Sequence, residues 1–371
     1  TSFALWRHLI RAKSEQQNSA DAKATFLGLF ESRHNVSGNG QWALSTLRSA
    51  EFMLFQNEIE MVKEVLETLQ EQAHSGDLRG RAAWYSLRSH LHLYGRPHES
   101  IKDGLRALDL FTQVGDFREV TGVLNNLVCT LADMGRLEEA EARAHEMIAL
   151  CQRLGASYTL LEGRINLAGV LVSRGDQTGA AKMLTALLGD GILDAYPRLA
   201  GFCQILWAQT ELAAGRGPSA FEHAERAADL LSKSPSLLFT AEAALARSLV
   251  MMGRAKEGRI YADSAMASLR KVGGAEHGEF TIWLAGVECL RAEGDHDGAR
   301  AVILEARASL ERRLSTVQLD EDRDRVLSGL PEVALLERQA QALGLKFPKP
   351  PALKFPKAGL NAGAQSIRGE S

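Results

Sequence analysis

Four cysteines in 371 residues are too few for a disulfide scaffold, and Cys129, Cys151, Cys203 and Cys289 stand too far apart for a CxxC or CxxH metal site. They read as reduced thiols used as small core residues, which points to the cytoplasm. Prolines are also scarce: nine in all, four of them crowded into residues 344–371. Neither charge dominates, since 43 basic residues stand against 46 acidic ones, a net of −3. That balance gives no electrostatic case for nucleic acid. No apolar run approaches the roughly 18 residues that span a bilayer, so no membrane partner is expected. No basic-then-apolar leader opens the sequence, so no export signal is read. The chain starts at Thr1 rather than methionine, which reads as a piece of a longer protein.

Catalytic signatures are missing too. There is no HExxH, GxSxG or GxxxxGK[ST], no GxGxxG between strand and helix, and no strand pattern of any length. His90 and His92 lie two apart and so on different faces of a helix, where they cannot share a metal. The run "LDEDRDR" (319–325) mixes signs and lacks the central glycine of a calcium loop; it reads as a solvated helix start. We expect no enzyme, no cofactor and no metal.

What is present is a repeat. "MGRLEEAEARA" (134–144) recurs in altered form at Gly95, Gly175, Gly215, Gly253 and Gly294, and more weakly at Asn57. The steps are 38, 40, 40, 40, 38 and 41 residues. A period of this length held over so many copies marks a solenoid. Four residues before the glycine stand Leu91, Leu131, Leu171, Leu249 and Leu290; eight before it, Leu87, Leu127, Leu167, Trp207 and Leu245. The i, i+4 spacing keeps one apolar stripe on a first helix. The glycine caps that helix in a left-handed conformation, for which Asn57 is the next-best residue. Five residues later the side chain is small (Ser100, Ala140, Ala180, Ala220, Gly258, Ala299), which lets a second helix approach closely. Val62 fills that place in the first unit, which should be looser. Trp84, Trp207 and Trp283 fall near the stripe and read as packing between hairpins.

With these residues in view, the chain resembles the tetratricopeptide repeat family, most closely in "NNLVCTLADMGRLEEAEARAHEMIAL" (125–150) and "INLAGVLVSRGDQTGAAKMLTALL" (165–188). The usual family unit has 34 residues and this one nearer 40. The longer form is similar to repeats of kinesin light chain, bacterial pheromone-sensing regulators, and sensor arms of large bacterial activators and kinases. The segment 325–345 looks like the closing helix of such arms. The resemblance covers about residues 41–312. It implies an all-α, right-handed superhelical solenoid of antiparallel helix hairpins. We expect an irregular helical segment over 1–40, about seven hairpins over 41–315, capping helices over 316–344, and a tail over 345–371.

The resemblance also places groove positions ten, nine and six residues before each glycine. The first set is Tyr85, Asn125, Ile165, Ile205, Ala243 and Leu284. The second is Ser86, Asn126, Asn166, Leu206, Ala244 and Ala285. The third is Ser89, Cys129, Gly169, Gln209, Arg247 and Glu288. From these, Tyr85, Ser89, Asn125, Asn126, Asn166, Gln209 and Arg247 are the candidate peptide- or partner-binding residues. Asn126 and Asn166 occupy equivalent places in successive units. They serve either as a ladder for the backbone of an extended peptide or to satisfy neighbouring helix ends or water. Arg247 is the sole cation in the three sets, so the groove lacks the lysine-rich carboxylate clamp of chaperone-binding members. Its later half, with Ile205, Leu206, Trp283 and Leu284, suits an apolar partner helix or the chain's own tail.

That tail repeats "LKFPK" at 345–349 and 353–357 and carries a net +4. It reads as a disordered or extended end or a linker, or as an anchor laid on the acidic body or on a partner. The sequence thus suggests a non-catalytic protein-interaction scaffold or sensor arm of a bacterial-type signalling protein. The alternative is a regulatory receptor whose groove takes a small peptide or metabolite and changes superhelix curvature.

Overall fold

The computed structural model describes residues 9–10, 13, 19–32, 40–75, 77–189, 191–315, 317 and 320–346. The tail beyond 346 and part of the 1–40 segment lie outside them. Helix α1 (Ser19–Glu31) precedes the first pair, α2 (Gly40–Leu54) and α3 (Ile59–Thr68), and a short α4 (Gln70–Ser75) follows. Six further pairs succeed one another: α5 (Leu78–His92) with α6 (Pro97–Gln113), α7 (Phe117–Asp133) with α8 (Leu137–Leu154), and α9 (Ser157–Arg174) with α10 (Gln177–Gly189). Then come α11 (Pro197–Ala213) with α12 (Gly217–Leu230), α13 (Pro235–Met251) with α14 (Ala255–Val272), and α15 (Glu279–Ala292) with α16 (His296–Ser315). Helices α17 (Asp320–Gly329) and α18 (Pro331–Ala342) end the described chain.

Six of the seven first helices, all but α5, end by the same hydrogen bond. The amide after the glycine donates to the carbonyl four residues before it: Arg136 to Leu131, Asp176 to Leu171, Arg254 to Leu249, Asp295 to Leu290. This six-to-one closure requires a left-handed residue at the glycine position. The glycines from Gly135 to Gly294 have φ between +66° and +82°, and Asn57 has +58°. Asn57 makes the same closure, Glu58 to Met53. The small residues five later, Ser100, Ala140, Ala180, Ala220 and Ala299, are all fully buried between their two helices. A Cβ at Gly258 would meet the Ala246 carbonyl oxygen at 2.8 Å, so that pair is closer still.

First helices also pack on first helices, α7 on α9, α9 on α11, and so on to α13 on α15, forming the inner wall of the superhelix. The turn is tight enough that distant units meet. At Gly274 a Cβ would come within 2.8 Å of the Tyr94 carbonyl carbon, 180 residues away in sequence. At Gly329 it would come within 2.6 Å of the Gly135 Cα, and Arg313 Nη1 donates to the Asp133 carbonyl at 2.9 Å. The largest core cluster accordingly joins residues from α1 through α9 to residues of α13 through α18. The interior is therefore walled on both sides.

Candidate functional site

Three adjoining cavities run along that interior. The largest, about 460 Å³, lies between α7, α9, α11, α15 and the start of α18. A second, about 280 Å³, lies between α2, α7, α9 and the start of α11. A narrow one joins them, sharing Cys129, Asn166, Phe202 and His277 with the larger and His90, Asn125, Asn126 and Arg198 with the smaller.

Five of the seven sequence-derived residues meet here. Asn125 and Asn126 line the smaller cavity and the passage, Asn166 the passage and the larger cavity, and Gln209 and Arg247 the larger cavity. The bonded asparagines, however, are Asn125 and Asn166: the Asn166 Nδ2 donates to the Asn125 Oδ1 at 2.7 Å. This leaves Asn126, rather than Asn166, as the asparagine with no side-chain bond to its neighbour in the row. Arg247 is held by Glu288 at 3.0 Å.

Tyr85 and Ser89 are placed elsewhere. Tyr85 packs edge-on to Trp84 and His74, beneath Arg88 and Arg106. Ser89 is buried inside its hairpin, its Oγ donating to the Ser100 carbonyl at 2.8 Å. Helix α5 instead turns Ser86 and His90, four residues apart, toward the interior. Ser86 donates to Glu51, and His90 joins Phe55 and Arg198 on the cavity wall. Trp84 and Trp283 are buried, while Trp207 is half-buried and stacks on His223. In the apolar later half, Leu284 and Trp283 are buried in the core rather than displayed, whereas Ile205 and Leu206 line the larger cavity.

The sequence reasoning missed a fourth row. Seventeen residues before each repeat glycine from Gly135 onward stand Arg118, Tyr158, Arg198, Ser236 and His277, near the starts of the first helices. A tight superhelix brings these starts together. Arg198 is the hub: its Nη2 donates to both Glu276 carboxylate oxygens at 2.6 and 2.8 Å, and its Nη1 to Ser236 Oγ at 3.0 Å. Its guanidinium also sits 4.2 Å from the Phe55 ring centroid. One side chain thus ties the turn after α2, the helices α11 and α13, and the loop before α15. Burial alone would raise the Glu276 pKa, but the charges of Arg198 and His277 and the bonds from Arg198 outweigh it and bring it down to about 2. The exact 40-residue spacing of Arg118, Tyr158 and Arg198 was the signal available for this row.

Charge in the interior is lopsided. Among the described residues, eight carboxylates and four guanidiniums line the three cavities. Three of the guanidiniums sit in ion pairs, Arg198–Glu276, Arg247–Glu288 and Arg313–Glu279. The remaining lining charges are Arg118 and the carboxylates Glu51, Glu119, Asp133, Glu162 and Glu332, of which Glu119 also reaches Arg48 at 3.4 Å. Asp133 shows the result: burial raises its pKa, Arg313 and His277 pull the other way, and Glu279 and Glu332 add to the rise. His90, 4% exposed, has its pKa lowered to about 4, mainly by burial, and its Nδ1 has no hydrogen-bond partner.

Among the described residues, no group of three or more His, Cys, Asp or Glu side chains is arranged to hold a metal, and no helix is long and apolar enough to cross a membrane. The four cysteines are buried free thiols. This interior can hold an elongated guest by amide groups from neighbouring helices, with carboxylates placed for cations.

No family model matches the chain, and no curated protein matches it in sequence. Solved structures do match by fold. A Rap protein complexed with competence and sporulation factor superposes with a TM-score of 0.65 at 12% identity, over 92% of this chain and 97% of that one. NprR in complex with its cognate peptide NprX gives 0.60 at 12%, over 91% and 100%. The Rap conjugation gene regulator of plasmid pLS20, in complex with the Phr* peptide, gives 0.56 at 11%, over 93% and 98%. The chain therefore has the tetratricopeptide-type, right-handed superhelical repeat fold along nearly its whole length.

Proposed function

We propose that this chain is a regulatory receptor or sensor arm that holds a short peptide segment inside its superhelix. The observation that carries the reading is the continuous interior run of cavities, with the Asn125–Asn166 pair and Asn126 on its wall. An asparagine amide offers donors and an acceptor, which matches the backbone of an extended peptide. Cavities of a few hundred Å³ suit a ligand of small-molecule or short-peptide size. The fold neighbours support the reading, since the structures named above hold a factor or a peptide. Binding inside a closed turn couples ligand to curvature, because any guest touches units that are far apart in sequence. We place the protein in the cytoplasm of a bacterial-type signalling system, as a non-catalytic part that works by its protein or peptide partner. The four free thiols fit that location.

A second reading, a scaffold that takes a segment of a larger protein partner, uses the same wall. Native mass spectrometry of the full chain, gently captured from its host, separates the two: an added mass of peptide size supports the receptor, a co-purifying protein the scaffold. Asn126→Ala should lose either guest, and bare wild-type protein throughout would overturn both.

A further inference from the structure

We propose that the larger cavity is a site for a lysine-bearing, proline-interrupted segment, and that the chain's own residues 353–357, "LKFPK", are one occupant of it. This rests on the peptide-receptor reading and names both a ligand class and a competitor in cis.

The cavity's surplus charge asks for a cationic guest. Asp133 and Glu332 both line it, while its two arginines, Arg247 and Arg313, are engaged by Glu288 and Glu279. The two carboxylates, both half-buried, repel each other and gain from an ammonium between them. Beside them the wall is apolar, with Ile205, Leu206, Leu330 and Leu335, so a guest that alternates lysine with leucine, phenylalanine and proline meets both kinds of surface. Farther along the same interior, the orphaned Nδ1 of buried His90 marks a second polar position without a partner.

The chain supplies such a guest. Lys346, Lys349, Lys354, Lys357 and Arg368 against Glu370 make the segment net +4. Geometry selects the second copy of the phrase. Helix α18 begins at the cavity with Pro331 and Glu332 and leads away from it for about 18 Å, twelve residues at 1.5 Å each. At its far end the chain is fastened to α16, where Arg300 donates to the Leu343 carbonyl and Arg307 to that of Lys346. From Lys346 an extended chain covers about 10 Å to Lys349 but about 26 Å to Lys354, at about 3.3 Å per residue. The first span is shorter than α18 and the second is longer. A tether of this length gives an effective concentration on the order of millimolar, so even a weak contact in cis opposes a peptide arriving from outside.

The test uses the full chain. Zero-length carbodiimide cross-linking of dilute protein, mapped by mass spectrometry, should join Lys354 or Lys357 to Asp133 or Glu332. A mixture of ¹⁵N-labelled and unlabelled chains should show the links within one molecule. Full-length Lys354→Glu/Lys357→Glu should lose them and bind a synthetic peptide of residues 345–358 about tenfold more tightly than wild type does. Links only to carboxylates outside the cavity, or equal peptide affinity in both proteins, would overturn the proposal. If the variant takes up other short peptides at the asparagine wall but not this one, the receptor reading survives alone. If it takes up none, both fall.

Discussion

Replacing Glu276 with glutamine should loosen the superhelix at its tightest internal tie. The carboxylate accepts two hydrogen bonds from Arg198, and both side chains are nearly buried. Its pKa falls from 4.5 to about 2, and each pKa unit is worth 1.36 kcal/mol between the two protonation states. The charged pair therefore contributes about 3 kcal/mol at neutral pH, in line with the cost of leaving one member of a buried pair alone. The folded-state pKa is depressed, so this contribution is complete well above 4.5 and is lost as pH falls toward 2. In chemical denaturation the variant should be destabilised by about 3 kcal/mol at pH 7 and by about half of that at pH 3. Amide exchange should quicken first in residues 273–278. The apolar double variant Arg198→Met/Glu276→Leu should lose less than the single one, because it leaves no stranded charge. A deficit under 1 kcal/mol at pH 7, or one of equal size at both pH values, would show that this ion pair does not hold the turn closed.

Three further outcomes follow from the same structure. His90 has its pKa lowered to about 4 from 6.5, so the folded state resists the proton that the unfolded chain accepts; stability should fall by up to about 3 kcal/mol as pH drops from 6.5 to 4. His90→Gln should flatten that limb of the pH–stability curve, and an unchanged limb would rule out this histidine. Gly175→Ala should cost about 1 kcal/mol, the penalty of a left-handed alanine with open space around it. Gly135→Ala should cost at least 2 kcal/mol more, since its Cβ would collide with the Arg325 carbonyl and Gly329, and equal melting temperatures for the two variants would refute that. Asn125→Ala, which strands the Asn166 amide, should lower stability by about 1 kcal/mol, whereas Asn126→Ala should leave the melting curve in place and weaken ligand uptake.

The repeat, its helix pairs and its caps were legible because each depends on residues close in sequence. A left-handed cap needs glycine or asparagine, and a close helix pair needs a small side chain, wherever the unit stands. The site was legible only in part. Asn125, Asn126, Asn166, Gln209 and Arg247 follow the regular register of the middle units, and all five line the interior. Tyr85 and Ser89 do not: helix α5 presents Ser86 and His90 instead, and its last turn closes differently, Arg96 bonding to the His92 carbonyl rather than that of Leu91. Arg198, Glu276 and Arg313 act across two to five units. What brings them together is the sum of small rotations from one hairpin to the next, and no local pattern records that sum.

The contacts of Tyr94 with Gly274, and of Gly135 with Gly329, change what kind of object this repeat protein is. An open solenoid has two fraying ends, and its stability is nearly a sum over nearest neighbours. Here the second and third units lean on the sixth and on the last helices, so the chain must bring together residues about 180 positions apart before these contacts form. Such topology slows folding and makes it more nearly all-or-none. It also fixes the number of units: inserting or deleting one hairpin would rotate the far wall out of register and separate these pairs. A lineage can lengthen an open array one repeat at a time, but a turn that closes on itself must keep its count.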